Sequence, residues 1–284
     1  MLKRVPGRLF FLLCVAMLAD AVLLVPTYAA TGTWLPDYQI YPVNLADPRR
    51  PQFSAKILYV DKNTIKDTGN RIYDLKMGGR LGLYHLAPDK SSRLGWLLSL
   101  DVGFHGQFDA ERSEDNIGWD GIYSLLLSYR PNQKVAFKLG TYHVSAHIGD
   151  EYAERTGRVR INYTREELQA GMNLVLTDNL QWYAEAGRAY DQRNKAVQKP
   201  WRWQTGLQYW PGTKPTTGWY AGLDIGATEE RDWQVDTTLQ WGWLIPAGSR
   251  QWRVGLEYYD GKVPLGEFFQ DDERYISIGL WIDI

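Results

Sequence analysis

The chain ends on a segment that alternates residue by residue. Ile276, Ile278, Leu280, Ile282 and Ile284 share one parity, and Tyr275, Ser277, Gly279, Trp281 and Asp283 share the other. Side chains alternate between the two faces of a strand, so this segment reads as a strand with one purely apolar face and one mixed face. An apolar strand left at a sheet edge exposes unpaired backbone and aggregates. A sheet that closes into a barrel removes the problem by pairing its last strand with its first. The rival is an ordinary edge strand of a β-sandwich.

The same alternation recurs upstream and decides between them. About twelve segments of membrane-spanning length fit, near 53–60, 71–85, 93–108, 119–130, 133–147, 160–176, 179–190, 201–210, 217–228, 232–244, 250–259 and 273–284. Their mixed faces carry Asp74, Lys76, Arg80, Asp101, Lys138, Glu185, Arg202, Asp224, Asp236, Arg253 and Glu257. A soluble core does not hold so many charges, and a soluble lipocalin-like barrel has the inverse pattern, apolar inside and polar outside. A polar lumen filled by opposed charges does hold them. On the apolar parity, Trp96, Tyr129, Trp182, Tyr209, Trp219 and Trp252 stand at strand ends, as an interfacial girdle requires. Short breaks at 131–133, 177–179 and 246–249 interleave with longer ones at 61–70, 108–118, 148–159, 191–200 and 260–272. The expectation is an all-β, antiparallel transmembrane β-barrel of about twelve strands, with short periplasmic turns and longer extracellular loops. Mean hydropathy of −0.39 fits, because only alternate residues would meet lipid.

Both ends of the chain agree. Ser277, Gly279, Ile282 and Ile284 resemble the C-terminal assembly signal of bacterial outer-membrane barrels, with a terminal Ile where an aromatic is usual. The resemblance implies the outer membrane as location, and its lipids and the barrel assembly machinery as partners. Lys3, Arg4 and Arg8, the apolar run Leu9–Val25 and the small residues Ala29 and Ala30 have the anatomy of a secretory signal peptide. Residues 1–30 are therefore read as signal, 31–52 as an extended periplasmic arm or a strap into the lumen, and 53–284 as barrel. The prolines at 36, 42, 48 and 51 argue against a central strand in 31–52. Cys14 is the sole cysteine and falls in the signal, which excludes cysteine ligands and nucleophiles from the mature chain. Removing the signal takes the formal charge from −1 to −3, and no basic tract suggests nucleic acid.

One constellation carries chemistry. His105 has lumen parity and reads as part of a polar network. In 133–147, Val135, Phe137 and Leu139 set the lipid side, which Thr141, His143, Ser145 and His147 continue. On the next strand Leu168, Met172 and Leu174 set that side, and Asn162, Thr164 and Glu166 continue it upward. A serine hydroxyl becomes a nucleophile when a histidine takes its proton and a third group orients the imidazole. Residues two apart on a strand share a face, which permits Ser145 to meet His143, with Asn162 or Glu166 as the third group. This hairpin resembles outer-membrane phospholipase A and the lipid A deacylase barrels, whose His-x-Ser pair faces lipid beside an Asn or Glu. Ala146-His147 stands where those enzymes have Asn-Gly. His147, Asp150 and Glu151 form a candidate cation site with lipid phosphate, and calcium is the cofactor to consider for a lipid hydrolase. The bland alternative is that these residues mark the headgroup boundary.

Ala46-Asp47-Pro48-Arg49, Tyr142-His143 through Gly149-Asp150-Glu151-Tyr152, Asn162-Tyr163-Thr164-Arg165-Glu166 and Tyr258-Tyr259-Asp260-Gly261 resemble a wider group, the bacterial outer-membrane family labelled "domain of unknown function 1207". That resemblance implies barrel and location and assigns no mechanism. Two classes of function stay open: a non-enzymatic barrel with a filled lumen, and a lipid-directed esterase.

Overall fold

Alternating side chains let each strand satisfy both its neighbours and two unlike solvents. The computed structural model describes residues 30–192, 199–211 and 215–283. The expected signal peptide and Ile284 lie outside the described residues. The described strands are β1 (Thr31–Trp34), β2 (Phe53–Asn63), β3 (Arg71–Ala87), β4 (Gly95–Asp109), β5 (Asp115–Asn132), β6 (Val135–Ile148), β7 (Thr164–Val175), β8 (Leu180–Gln192), β9 (Trp201–Tyr209), β10 (Gly218–Thr228), β11 (Val235–Ala247), β12 (Arg250–Lys262) and β13 (Asp272–Asp283). From β2 to β13 every strand pairs antiparallel with its chain neighbour. β13 pairs back onto β2, from Glu273 opposite Asn63 to Ile282 opposite Phe53, and closes a twelve-stranded barrel.

Exposure settles which face is inside. Val102, Trp243 and Ile278 are 52%, 52% and 50% exposed, whereas Asp74, Glu185 and Arg253 are 1%, 2% and 0% exposed. The apolar parity points out and the charged parity points in, the arrangement of a membrane barrel. The girdle aromatics pair across strands at the short-turn end: Trp96 stacks on Tyr129 at 4.3 Å and Tyr209 on Trp219 at 4.0 Å.

The inward charges neutralise one another. Lys56 Nζ lies 2.7 Å from Glu257 and 3.3 Å from Asp74. Arg80 donates twice to Asp101, at 2.6 and 2.8 Å. Lys138 meets Glu185 at 2.7 Å, and Glu167 accepts from both Arg165 and Arg202. His105 Nε2 sits 2.7 Å from Asp74, which bears out its reading as a network member. The cavities among these side chains are about 40, 20 and 60 Å3, room for a few waters each.

Residues 31–52 are not an arm. β1 pairs with the lower end of β3, a stretch of edge that β2 leaves uncovered. Residues 35–52 then turn inward as the strap that was the alternative reading. Tyr41 and Asn44 donate to Glu185 at 3.0 and 2.7 Å, Leu45 N–H donates to Gln208, and Lys76 donates to the Pro48 carbonyl. The barrel wall is cut to receive it. A Cβ on Gly82 would lie 2.8 Å from Pro36, and one on Gly103 would lie 2.8 Å from Pro51, so only glycine admits the backbone there.

The outer end is closed too. The break 260–272, read as a polar loop, folds back into the barrel. Val263, Leu265, Phe268 and Phe269 pack with Leu58, Ile72, Tyr152, Tyr163 and Tyr275 in apolar clusters. Asp120 accepts from Gly266 N–H, and Glu267 accepts from the backbone of Ile161 and Tyr163. The break 148–159 contains a short helix, α1 (Asp150–Thr156), which the sequence reading did not foresee. Above it Asp67 binds Arg112 and Arg155, each at 2.6 Å; the Arg155 hydrogen bond holds the Asp67 carboxyl below its usual range. With both ends packed, planar-bilayer recordings are expected to show no large steady conductance. A wide, reproducible open state would mean that the strap leaves the lumen.

Candidate functional site

The outer faces of β5 to β8 carry the constellation read from the sequence. His143 lies eight residues up β6 from Val135. At about 3.3 Å per residue and a tilt of about 40°, that is about 20 Å above the short turns, near the upper edge of an apolar band about 25 Å tall. Strand register puts Glu166 of β7 directly opposite His143, and Thr164 opposite Ser145.

His143 Nδ1 is hydrogen-bonded to Glu166 Oε1. A carboxylate only accepts, so Nδ1 carries the proton and Nε2 is the basic nitrogen. That is the tautomer a general base needs. The ring is held from its other side by Tyr123, stacked at 4.2 Å and 18°. Tyr190 of β8 reaches Glu166 Oε2 at 3.5 Å. A register shift between Glu166 and Glu167 leaves Tyr190 as the extra residue of a bulge, a device that re-aims side chains beside functional sites. Ser145, two residues above His143 on the same face, is half-buried, and its hydroxyl makes no hydrogen bond among the described residues. Its Oγ is thus unengaged and is not hydrogen-bonded to His143.

The structure brings together His143, Glu166 and, by parity, Ser145. It does not bring in Asn162. The strand expected from residue 160 starts at Thr164, and Asn162 is exposed in a left-handed conformation with φ of 56°. The chain leaves the sheet there because loop 157–163 bends to cover the outer plug, so Asn162 does not share the face of Glu166. Nor are His147, Asp150 and Glu151 gathered. His147 stacks on Trp119 at 4.1 Å, while Asp150 and Glu151 are exposed in the first turn of α1. Among the described residues no group of three His, Cys, Asp or Glu side chains could hold a metal ion. A calcium cage needs six to eight oxygen ligands, and these three residues do not make one.

Two contributors escaped the sequence reading. Tyr123 and Tyr190 are not singled out by the sequence; only cross-strand register places them against His143 and Glu166. The alternation that revealed His143 contains no information about which rung of the next strand it meets.

Comparison with known proteins agrees with the fold. The sequence profile of the family described as "Protein of unknown function (DUF1207)" matches residues 14–283. No curated protein matches the chain by sequence. Among solved structures, the Salmonella typhi outer membrane phospholipase dimer with bound calcium superposes with a TM-score of 0.60 at 9% identity, covering 86% of this chain and 95% of that one. The Escherichia coli outer membrane phospholipase A gives 0.56 at 9% identity with the same coverage. At such identity the likeness concerns the barrel alone.

Proposed function

We propose that this chain, which belongs to the family described as protein of unknown function (DUF1207), is an integral outer-membrane barrel that works from its lipid-facing surface as a serine-dependent acyl hydrolase. The observation that carries this reading is the Glu166-held His143, with its basic Nε2 free, on the lipid face two residues from an unengaged serine. Burying ionisable groups toward lipid is costly, and such residues mark functional sites by default.

In this reading Glu166 fixes the tautomer and stabilises the imidazolium. Ser145 rotates to His143 Nε2, gives up its proton there and attacks an acyl ester carbonyl that arrives laterally from the outer leaflet. The C–O bond breaks, the leaving alcohol takes the proton from His143, and water then releases the fatty acid by the same route. No step is assigned to a metal. A sealed lumen supports the same conclusion, since it leaves the outer surface as the place to meet a substrate.

A second reading, a sealed barrel that binds lipid without turnover, has one observation in its favour. The Ala146 N–H beside Ser145 donates to the Tyr163 carbonyl at 3.0 Å and is not available to an oxyanion. Purified, folded protein in mixed micelles separates the two. Fatty-acid release from a panel of phospholipids and lipid A, with calcium and with chelator, is the expected result. Absence of release across the whole panel would leave the binding role alone.

A further inference from the structure

Arg188 is a cation on the lipid-facing side of β8. It is exposed, it pairs in register with outward Leu168, and its guanidinium lies 5.7 Å from the Trp201 ring centroid. On β4 to β10, the ionisable side chains that point outward from strand bodies are confined to one patch: His143, His147, Glu166, Arg188 and Asp191. Elsewhere at the outer end Arg112 and Arg155 pair with Asp67, Arg158 with Asp271 and Arg274 with Asp61, while the exposed Arg71, at the outer end of β3, and Arg160, in the loop before β7, lie away from the His143 patch. Among the described residues Arg188 has no carboxylate partner, since Glu166 on the next rung is engaged by His143. An unpaired guanidinium at the upper edge of an apolar band is held at a cost unless an anion meets it there.

We propose that Arg188 is the phosphate-recognition residue of this surface, and that the lipid it takes is a phosphate-bearing outer-leaflet lipid. A guanidinium presents a planar fork that matches two phosphate oxygens. The Trp201 face orients that fork, as aromatic rings do for arginine. Geometry then links the two halves of the patch. β8 is two strands from β6, about 10 Å, and Arg188 sits one rung below Glu166. Phosphate and acyl ester are neighbours within one lipid headgroup, so a phosphate on Arg188 brings the ester toward Ser145. This last link rests on the acyl hydrolase reading; the binding itself does not.

The test uses the full barrel in maltoside micelles, which carry no phosphate. Fluorescently labelled phosphatidylglycerol and diacylglycerol are titrated by anisotropy against wild type, Arg188→Gln, Arg188→Lys and Arg250→Gln, the last removing an exposed cation at the short-turn end. Ser145→Ala serves as a background without turnover. Arg188→Gln is expected to weaken phosphatidylglycerol binding about fivefold or more, the worth of one interfacial cation, and to leave diacylglycerol binding unchanged. Arg188→Lys should restore only part of it, since an ammonium keeps the charge and loses the fork, and Arg250→Gln should change nothing. Equal binding by wild type and Arg188→Gln, or equal loss in Arg250→Gln, would overturn the proposal. Displacement of labelled lipid by submillimolar inorganic phosphate would make a free anion the ligand and overturn the headgroup assignment. A wild type that hydrolyses nothing, yet shows the Arg188-dependent binding, would remove the hydrolase and keep the phosphate site.

Discussion

Ser145→Ala is expected to lower fatty-acid release by about a thousandfold or more while the barrel folds and migrates as the wild type does. The effect is large because the hydroxyl would form the acyl bond. His143→Ala should fall equally far, and the double variant no further, since members of one relay act as a unit. Glu166→Gln is the more discriminating change. The amide can donate as well as accept, so it no longer obliges Nδ1 to carry the proton, and Nε2 loses its assured role as base. Activity should drop by several orders of magnitude with binding of lipid unchanged. Rates within twofold of wild type for all three variants would reduce the constellation to polar residues tolerated at a headgroup boundary. Heat-modifiable gel migration checks folding in each case. None of the three side chains contributes to the lumen network or to the packed plugs, so stability should not confuse the result.

The barrel was written in the alternation because two solvents act on every strand at a fixed period of two. Val102 and Asp101 differ in parity, and the structure puts one outside and the other in a bidentate pair with Arg80. What alternation could not carry is anything that leaves the sheet. The prolines of 31–52 excluded a central strand, yet the outcome depended on Gly82 and Gly103, far along the chain, leaving room for Pro36 and Pro51. The break 260–272 contained Val263, Leu265, Phe268 and Phe269, four apolar residues whose burial in the mouth has no local signature. At the candidate site, parity alone selected His143, Ser145 and Glu166. It offered Asn162 as an equal to Glu166 because parity assumes that the strand continues, and the backbone at Asn162 does not. The metal suggestion failed for a related reason: His147 still belongs to β6, which runs to Ile148, while Asp150 and Glu151 begin a helix.

Lys56→Met is expected to cost about 3–5 kcal/mol of folding stability, the range for removing one partner from a buried charge pair. Lys56 is 4% exposed and stands between Asp74 and Glu257, which are 1% and 3% exposed. Its ammonium is 2.7 Å from one carboxylate and 3.3 Å from the other, and the Tyr275 hydroxyl shares Glu257 with it. Methionine keeps the volume, so the cost is electrostatic: two carboxylates would face each other in a space that admits few waters. Lys76 is too occupied to take over, since its ammonium donates to the Pro48 carbonyl and anchors the strap. The cost should therefore fall to within about 1 kcal/mol when Asp74→Asn and Glu257→Gln are added, because the neutral amides no longer need a cation. Reversible denaturant unfolding in micelles or bilayers measures both variants. A single Lys56→Met that unfolds at the wild-type midpoint would mean that water reaches the pair and that the lumen is open enough to solvate it. A triple variant no more stable than the single one would place the cost in packing around Tyr275 instead of in the charges.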